Sequence, residues 1–188
     1  LVFRPLPKHL DEEVIKEMVT PMKDVDCMGS ANTAHVFAQD GKGHAPCTPQ
    51  AVIEMLDFYG YDLTGKKAVV VGRSMVVGKP LAQMLLKKNA TVTICHTKTV
   101  DLRAEVKAAD FVFACAGVAK MLDASYISEG QVVIDVGINV MDGKLCGDVD
   151  YAQVEPIAGA ITPVPGGVGP MTIAMLMKNC VESVELQK

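Results

Sequence analysis

The sequence has no tryptophan and few aromatic residues of any kind: they make up 5% of the chain, whereas 49% of it is hydrophobic. Aliphatic side chains and methionine must therefore fill the core, as they do where helices pack against a parallel sheet. With 188 residues the chain is long enough to bury a sizeable core, as one domain or as a domain with a smaller part attached.

Long runs of charge are also absent, and the formal net charge is −4. This balance argues against a nucleic-acid partner. No apolar stretch is long enough to span a bilayer and no signal peptide is visible, so no membrane partner is expected. The chain starts at Leu1 instead of methionine, and we expect further residues upstream.

No two cysteines are spaced as a CxxC pair, which argues against a metal knuckle or a redox motif. Several lie inside apolar runs, where cysteine behaves as a small hydrophobic residue. Reduced thiols in a cytoplasmic protein without a bound metal are the simplest interpretation. The six cysteines are Cys27, Cys47, Cys95, Cys115, Cys146 and Cys180.

The first quarter of the chain has weak secondary-structure signals. Residues 1–7 (LVFRPLP) resemble the end of a buried strand that two prolines stop. Asp11 is placed to cap a short helix that ends near Thr20. The polar, glycine-containing residues 22–47 predict a long irregular loop, and such loops are usually functional or disordered.

From Thr48 onwards the pattern changes to strands that alternate with helices. Thr48 is the predicted N-cap of a helix, with Pro49 at its first position. The alternation predicts a parallel sheet with right-handed crossovers. Predicted strands are 68–71, 91–95, 111–114, 131–136 and 160–162, and predicted helices are 49–59, 79–88, 101–108 and 171–185.

A glycine-containing turn joins the first of these strands to its helix, within KAVVVGRSMVVGKP at 67–80. Gly72 permits a tight turn, and Gly78 lets the helix approach the strand. The backbone amides of Gly72, Arg73 and Ser74 would then face an anion at the carboxyl end of the strand. The spacing is not GxGxxG, so a turn that binds no ligand remains the alternative.

The end of the second strand indicates which dinucleotide the turn would bind. NAD sites usually place a carboxylate there for the ribose hydroxyls, but this strand is followed by His96, Thr97, Lys98 and Thr99. Hydroxyls and a cation suit a 2′-phosphate better, and Arg73 could add a two-pronged contact. The pattern favours NADP over NAD. An ordinary solvated lysine and a packed histidine are the alternatives at Lys98 and His96.

Two further segments are candidates for the site. The loop TPVPGGVGPMT at 162–172 has three prolines and three glycines, which restricts its shape; Pro170 can begin the last helix. A cis peptide bond before one of the prolines is compatible with this loop, and so is a plain rigid lead-in to the helix. After the fourth strand, Gly137 and Ile138 are placed to contact a nicotinamide or its ribose, while Asp148 is better suited to holding the loop after that strand than to catalysis.

Together, ordered motifs along nearly the whole chain resemble the bifunctional methylenetetrahydrofolate dehydrogenase/methenyltetrahydrofolate cyclohydrolase family. The matching segments are PLPKH at 5–9, KDVD at 23–26, PCTP at 46–49, VGRSMVVGKP at 71–80, ATVTICHTKT at 90–99, VIDVGIN at 133–139, GDVD at 147–150 and ITPVPGGVGPMT at 161–172.

The resemblance implies an α/β fold: a Rossmann-like parallel sheet with helices on both faces, plus the remaining part of a smaller α/β catalytic domain. Residues 1–47 would be the end of the folate-binding catalytic domain, 48–165 the NAD(P)-binding domain, and 166–188 a C-terminal helix that returns to the catalytic domain. The implied reactions are NADP-dependent oxidation of methylenetetrahydrofolate and hydrolysis of the product to 10-formyltetrahydrofolate. A cytoplasmic homodimer of one-carbon metabolism that uses no metal is also implied.

The resemblance also implies site residues. Asp26 matches the aspartate that binds the pterin ring, and the segment after Val164 matches the wall of the folate pocket. The implied substrate-binding residues are Val2, Phe3, Asp26, Pro165, Gly166, Gly167, Val168, Gly169, Pro170 and Met171. The implied cofactor-binding residues are Gly72, Arg73, Ser74, Thr97, Lys98 and Ile138.

Departures from the family pattern leave the catalytic residues unassigned. The family's catalytic lysine lies in a Tyr-x-x-x-Lys motif, and no tyrosine of this chain has lysine four positions later. Phe3 replaces a glutamine that supports this lysine, which motivates the hypothesis of a dehydrogenase with weak cyclohydrolase activity. Cys27 replaces a glycine beside Asp26. A catalytically inactive nucleotide-binding module is the third hypothesis.

Overall fold

A computed structural model describes residues 1–3 and 6–187. The helices are α1 (Glu12–Met18), α2 (Ser30–Ala38), α3 (Cys47–Phe58), α4 (Gly78–Lys87), α5 (Leu102–Lys107), α6 (Tyr151–Val154) and α7 (Val168–Glu185), with a 3₁₀ turn at Pro21–Lys23. The strands are β1 (Lys67–Val71), β2 (Thr91–Cys95), β3 (Phe111–Ala114), β4 (Val132–Asp135), β5 (Asn139–Met141), β6 (Lys144–Cys146) and β7 (Ala160–Ile161).

The first 47 residues correct two of the predictions. The strand predicted at 1–7 is wrong for the residues described there: they form no strand, and Phe3 is 83% exposed. Arg4 and Pro5 lie outside the described residues. The loop predicted at 22–47 is also wrong, because it contains α2. That helix is held by its buried Asn32, whose amide donates to the carbonyl oxygens of Pro21 and Asp24, a contact that no local pattern reveals.

The helices before and after α2, which are α1 and α3, were both predicted, although the N-cap of α3 was misplaced. Asp11 caps α1 as expected, its carboxylate accepting from the amides of Glu13 and Val14. Helix α3 begins one residue before the predicted cap: Cys47 is already helical, and Pro46 is the N-cap without a side-chain hydrogen bond.

The central sheet has five parallel strands in the order β2-β1-β3-β4-β7. Short runs of valine, isoleucine and phenylalanine form β1, β3 and β4 because both of their faces are buried. The chain moves from β1 outward to β2 and then returns to β3 on the other side. The carboxyl ends of β1 and β3 therefore border the crevice in which α/β proteins of this type bind dinucleotides.

Helices cover both faces of the sheet. One face, with Val70, Phe113 and Ile134, packs against α3, α4 and α7. The other face, with Val112 and Val133, packs against α5, α6 and the segment between β3 and β4. This two-sided arrangement confirms the predicted α/β, Rossmann-like fold.

Other elements were not predicted. Strands β5 and β6 form an antiparallel hairpin after β4, and α6 follows it. Helix α7 begins at Val168, three residues before its predicted start.

None of the helices in the described ranges is long and apolar enough to cross a membrane.

Candidate functional site

The turn after β1 is built so that only glycine fits at its two ends. Gly72 has φ of +133°, and a Cβ atom there would lie 2.2 Å from the carbonyl oxygen of Cys115. A Cβ atom at Gly78 would lie 2.2 Å from the carbonyl oxygen of Gly72. The first turn of α4 therefore rests directly on the turn, and the turn rests on the loop after β3.

Between these glycines, residues 73–76 are exposed. The Ser74 hydroxyl accepts from the amides of Val77 (3.1 Å) and Gly78 (3.4 Å), so the hydroxyl braces the turn. The amides of residues 73–76 have no acceptor among the described residues. Four open amides at the N-terminus of a ten-residue helix form a site suited to a phosphate group.

The segment after β2 presents two predicted residues outward. The Thr99 hydroxyl accepts from the His96 amide at 2.9 Å, and His96 Nδ1 accepts from the Lys98 amide at 3.1 Å. This small turn leaves the side chains of Thr97 and Lys98 exposed. Because Nδ1 is an acceptor here, the proton of the neutral imidazole lies on Nε2.

Two exposed cations adjoin this edge of the sheet. Arg73 follows β1 and Lys98 follows β2, and these two strands are paired neighbours. Neither side chain has an ion-pair partner in the part of the chain that the structure describes. The pair can therefore supply positive charge to an anionic ligand beside the open amides.

At the end of β4, Ile138 is 65% exposed, so it offers an apolar side chain at the same edge of the sheet. The backbone beneath it is tightly packed: a Cβ atom at Gly137 would lie 2.1 Å from the Asp148 carboxylate. All six predicted cofactor residues therefore follow the carboxyl ends of β1, β2 and β4, on one edge of the sheet.

A pair of buried carboxylates supports this edge. Asp135 accepts from the amides of Gly137 (3.1 Å), Asp148 (2.9 Å) and Val149 (2.9 Å). Burial raises the pKa of Asp135 from 3.8 to about 6, because it removes the charged form from water. The Asp148 side chain in turn holds the loop after β3 and the Asn139 side chain that follows β4, whereas the sequence placed its loop-holding role only after β4.

All the predicted folate residues except Val2 and Phe3 lie near the N-terminal ends of α3 and α7. Asp26 accepts from the Cys47 amide at 3.0 Å, which places its carboxylate at the start of α3. The Thr48 and Thr172 hydroxyls are 3.4 Å apart, so the first turn of α3 meets the first turn of α7. The predicted segment 165–171 contains the first turn of α7, and the peptide bond between Val164 and Pro165 is cis.

Four residues of that segment also line a groove of about 750 Å³ between α7, the end of α3 and the edge strand β7. Aromatic and methionine side chains also line it, and Asp26 does not. The predicted folate residues thus border two surfaces. The groove-lining members are Gly166, Gly167, Pro170 and Met171.

The structure does not join Val2 and Phe3 to these residues. Val2 is half-buried and Phe3 is exposed, and neither forms a hydrogen bond to the segment 165–171 within the described ranges. In residues 1–3 and 6–187, no group of three or more His, Cys, Asp or Glu side chains is arranged to hold a metal ion.

Sequence reasoning missed the loop after β3. The carbonyl oxygen of Cys115 lies against Gly72, and the next three residues are anchored to Asp148, 30 to 32 residues away. The available signal was its position, because the loop follows a buried strand at the carboxyl edge where the crevice is expected.

Comparison with known proteins agrees with this arrangement. Residues 46–188 match the sequence model described as the tetrahydrofolate dehydrogenase/cyclohydrolase, NAD(P)-binding domain. A curated relative from Clostridium botulinum (strain Okra / Type B1), the bifunctional protein FolD, is 53% identical over 186 residues. The match covers 98% of this chain and 66% of the relative, so the chain spans just under two thirds of that protein's length.

Solved structures of such proteins superpose closely. The crystal structure of the bifunctional enzyme FolD from Campylobacter jejuni has a TM-score of 0.96 and 44% identity. The Trypanosoma brucei enzyme, solved with NADP and an inhibitor, has a TM-score of 0.93 and 36% identity. These matches cover 98% and 100% of this chain, respectively, and 66% of each relative.

Proposed function

The chain belongs to the tetrahydrofolate dehydrogenase/cyclohydrolase family, and on this premise we propose that it serves the NADP-dependent oxidation of 5,10-methylenetetrahydrofolate to 5,10-methenyltetrahydrofolate. Hydrolysis of that product to 10-formyltetrahydrofolate is the second proposed activity. The observation that carries the proposal is the turn at residues 72–78, with four open amides at a helix N-terminus. The names of the relatives, which describe both activities, support it.

The proposed cofactor is NADP, and its binding is divided among residues on one edge of the sheet. The open amides of Arg73 and Ser74 suit the pyrophosphate, and the side chains of Arg73, Thr97 and Lys98 suit the 2′-phosphate. No carboxylate follows β2 before Asp101, so nothing there repels that phosphate. Bound NADP⁺ supplies the hydride acceptor, while Ile138 offers an apolar surface to the nicotinamide half.

The proposed folate residues are those near the starts of α3 and α7, with Asp26 facing the pterin ring. The Asp26 carboxylate accepts from the Cys47 amide, which orients it at the start of α3. The shape of the segment 165–171 requires two of its glycines: Gly166 has φ of +104°, and a Cβ atom on Gly167 would lie 2.5 Å from the Pro163 carbonyl oxygen. A preorganised wall of this kind holds a substrate in one orientation.

The division into a catalytic part at 1–47, a nucleotide-binding part at 48–165 and a returning helix at 166–188 is also proposed. Helix α7 supports it, since Val168 and Met175 pack in the core under the sheet. Further along the helix, the Asn179 amide donates to the Val25 and Ala45 carbonyl oxygens, and Ser183 donates to Met22.

A cytoplasmic homodimer is the proposed state of the protein. Every described cysteine is a free thiol, as is usual in a reducing compartment. The hairpin β5–β6 exposes Val140 (71%) and Leu145 (50%), which a second copy of the chain could cover. Sedimentation of the native protein would test this, with a monomer mass as the contradicting result.

A dehydrogenase with weak cyclohydrolase activity is the second candidate, and Phe3 favours it. A phenyl ring cannot hydrogen-bond a catalytic lysine or a water molecule, in contrast to the glutamine of the family pattern. In the natural protein, Phe3→Gln should speed the loss of methenyltetrahydrofolate absorbance severalfold. Equal hydrolysis rates in the parent and the variant would exclude this candidate.

The main proposal is tested by following NADPH formation from methylenetetrahydrofolate and NADP⁺ with the natural protein. The expected result is turnover that depends on NADP⁺ and that falls in Asp26→Asn through a higher KM for the folate. A protein that forms no NADPH under conditions in which it binds both ligands would contradict the proposed activity.

A further inference from the structure

The Asp148 carboxylate is completely buried beneath the proposed cofactor site, and four N–H groups surround it. One oxygen accepts from the amides of Ala116 (2.6 Å) and Gly117 (2.9 Å). The other accepts from the amide of Val118 (2.9 Å) and from the side-chain amide of Asn139 (2.9 Å). These four bonds use the whole acceptor capacity of an ionised carboxyl group.

The four donors come from two different loops. Residues 116–118 belong to the loop after β3, and Asn139, just beyond Ile138, ends the short loop after β4 as the first residue of β5. Because β3 and β4 are paired neighbours, their carboxyl ends lie side by side at the edge of the sheet. Asp148 therefore ties both loops to one buried point, and hydrogen bonds to a buried charge are stronger than neutral ones.

The position of Asp148 is itself fixed from behind. Its amide donates to Asp135 at 2.9 Å, and its carbonyl oxygen accepts from Leu122 at 3.0 Å. A Cβ atom at Gly147 would lie 1.8 Å from the Asp135 carboxylate. The carboxylate thus has little freedom to move, so the amides of residues 116–118 and of the Asn139 side chain are held in place with it.

The first of the two loops continues directly from the wall of the phosphate turn. Its residue Cys115 supplies the carbonyl oxygen that Gly72 approaches, and its amide donates to Val71 in β1. In a sheet of this order, the unit from β1 to β2 binds the adenosine half of a dinucleotide. The nicotinamide half then lies across the crevice, against the loops after β3 and β4.

We propose that Asp148 is a positioning residue for the nicotinamide half of NADP: it holds the 116–118 loop and Asn139, and through them the backbone at Ile138. The adenosine half depends instead on Arg73, Thr97 and Lys98, none of which donates a hydrogen bond to Asp148 within the described ranges. This inference rests on the proposed function, because it assumes that the dinucleotide is NADP.

The test separates the two halves of the cofactor in the 188-residue chain. Dissociation constants of NADPH and of 2′,5′-ADP, which is the adenosine half alone, are measured for the parent and for Asp148→Asn. The asparagine keeps the size of the side chain but turns an N–H group towards the loop amides. We expect the Kd of NADPH to rise about tenfold, as for loss of charge-assisted hydrogen bonds. The Kd of 2′,5′-ADP should stay within about twofold.

A spectroscopic readout accompanies these constants. At saturation, the nicotinamide fluorescence of bound NADPH should be closer to that of free NADPH in Asp148→Asn than in the parent, because the ring is held less firmly. Asp110→Asn is the matched control, since Asp110 also accepts from a backbone amide, that of Lys67, but at the opposite end of the sheet. It should leave both constants unchanged.

Asn139→Ala decides the question if Asp148→Asn does not fold. This variant removes only one of the four donors, and about a threefold rise in the Kd of NADPH is expected, with 2′,5′-ADP unaffected. Equal weakening of both ligands, or unchanged NADPH binding, would overturn the positioning role. Failure of the parent chain to bind either ligand would instead overturn the proposed function, and this inference with it.

Discussion

Gly78 lies so close to Gly72 that a Cβ atom on it would be 2.2 Å from the carbonyl oxygen of Gly72 and 3.0 Å from the amide nitrogen of Arg73. The helix that follows the turn can approach only because position 78 has no side chain. The geometry of the proposed phosphate site therefore depends on a contact between two glycines that are six residues apart.

Gly78→Ala should lower the free energy of unfolding by about 1–3 kcal/mol, because the added methyl group has to displace backbone atoms. It should also weaken NADP binding, since the displaced atoms belong to the turn. Urea denaturation and a ligand titration measure the two effects.

Gly169→Ala is the control for this substitution. It adds the same methyl group to a helix start where no heavy atom lies within 4 Å, so stability should change by less than about 1 kcal/mol. Equal destabilisation of the two variants would show that Gly78 owes its effect to something other than the contact with Gly72.

Lys98→Ala should reduce the preference for NADP over NAD about tenfold, because one cation near the 2′-phosphate is lost while the diphosphate contacts remain. The measurement is the ratio of the two dissociation constants by calorimetry. Lys87→Ala removes an exposed cation at the far end of α4 and serves as the control. A ratio that Lys98→Ala leaves unchanged would contradict the assignment of this residue.

Asp135 predicts an unusual pH dependence of stability. Its pKa in the folded protein is about 6, above the ordinary 3.8, so between these values the folded state binds more protons than the unfolded chain. The free energy of unfolding should therefore contain a component that falls as pH rises through that window, by about 3 kcal/mol at most.

Asp135→Asn removes this titration. Denaturation curves between about pH 4 and pH 6 should show that the variant's stability, relative to the parent, increases with pH. A constant difference between the two proteins across this range would mean that Asp135 does not titrate there.

Thiol reactivity should follow burial. Cys180 is exposed, and Cys146 and Cys115 are both half-buried. Burial nevertheless raises the pKa of the Cys115 thiol, as it raises that of Cys95 and that of Cys47, the last to about 12. Because the thiolate is the reactive form, two thiols should react rapidly with a disulfide reagent in the native protein and the others only on unfolding. Cys180→Ser should remove one equivalent from the rapid phase, and rapid reaction of Cys115 would contradict the packing described here.

The sequence predicts the central sheet well because β1, β3 and β4 are short β-branched or aromatic runs between turn residues, which few other structures accommodate. Helix α2 escapes such reasoning, since it depends on Asn32 bonding to carbonyl groups eight and eleven residues earlier. The hairpin β5–β6 is also missed, because its strands have only three residues each and hardly any alternation.

The candidate site, like the fold, is only partly predictable from the sequence. The residues around Gly72 and Lys98 are visible in the sequence because they follow predicted strands, and the order of the strands brings them together. The contacts of Asp148 with residues 116–118 are not visible, because they join segments about thirty residues apart that carry no pattern of their own. Long-range hydrogen bonds of this kind become apparent only once the strands are paired.

Calorimetric titration of the 188-residue chain with NADP⁺, with NAD⁺ and Gly78→Ala as the comparisons, tests the central claim most directly. One site per chain is predicted, with a Kd for NADP⁺ at least about tenfold below that for NAD⁺ and a clear loss of affinity in Gly78→Ala. No saturable binding of either dinucleotide at about 1 mM, or equal binding by the parent and Gly78→Ala, would contradict the account.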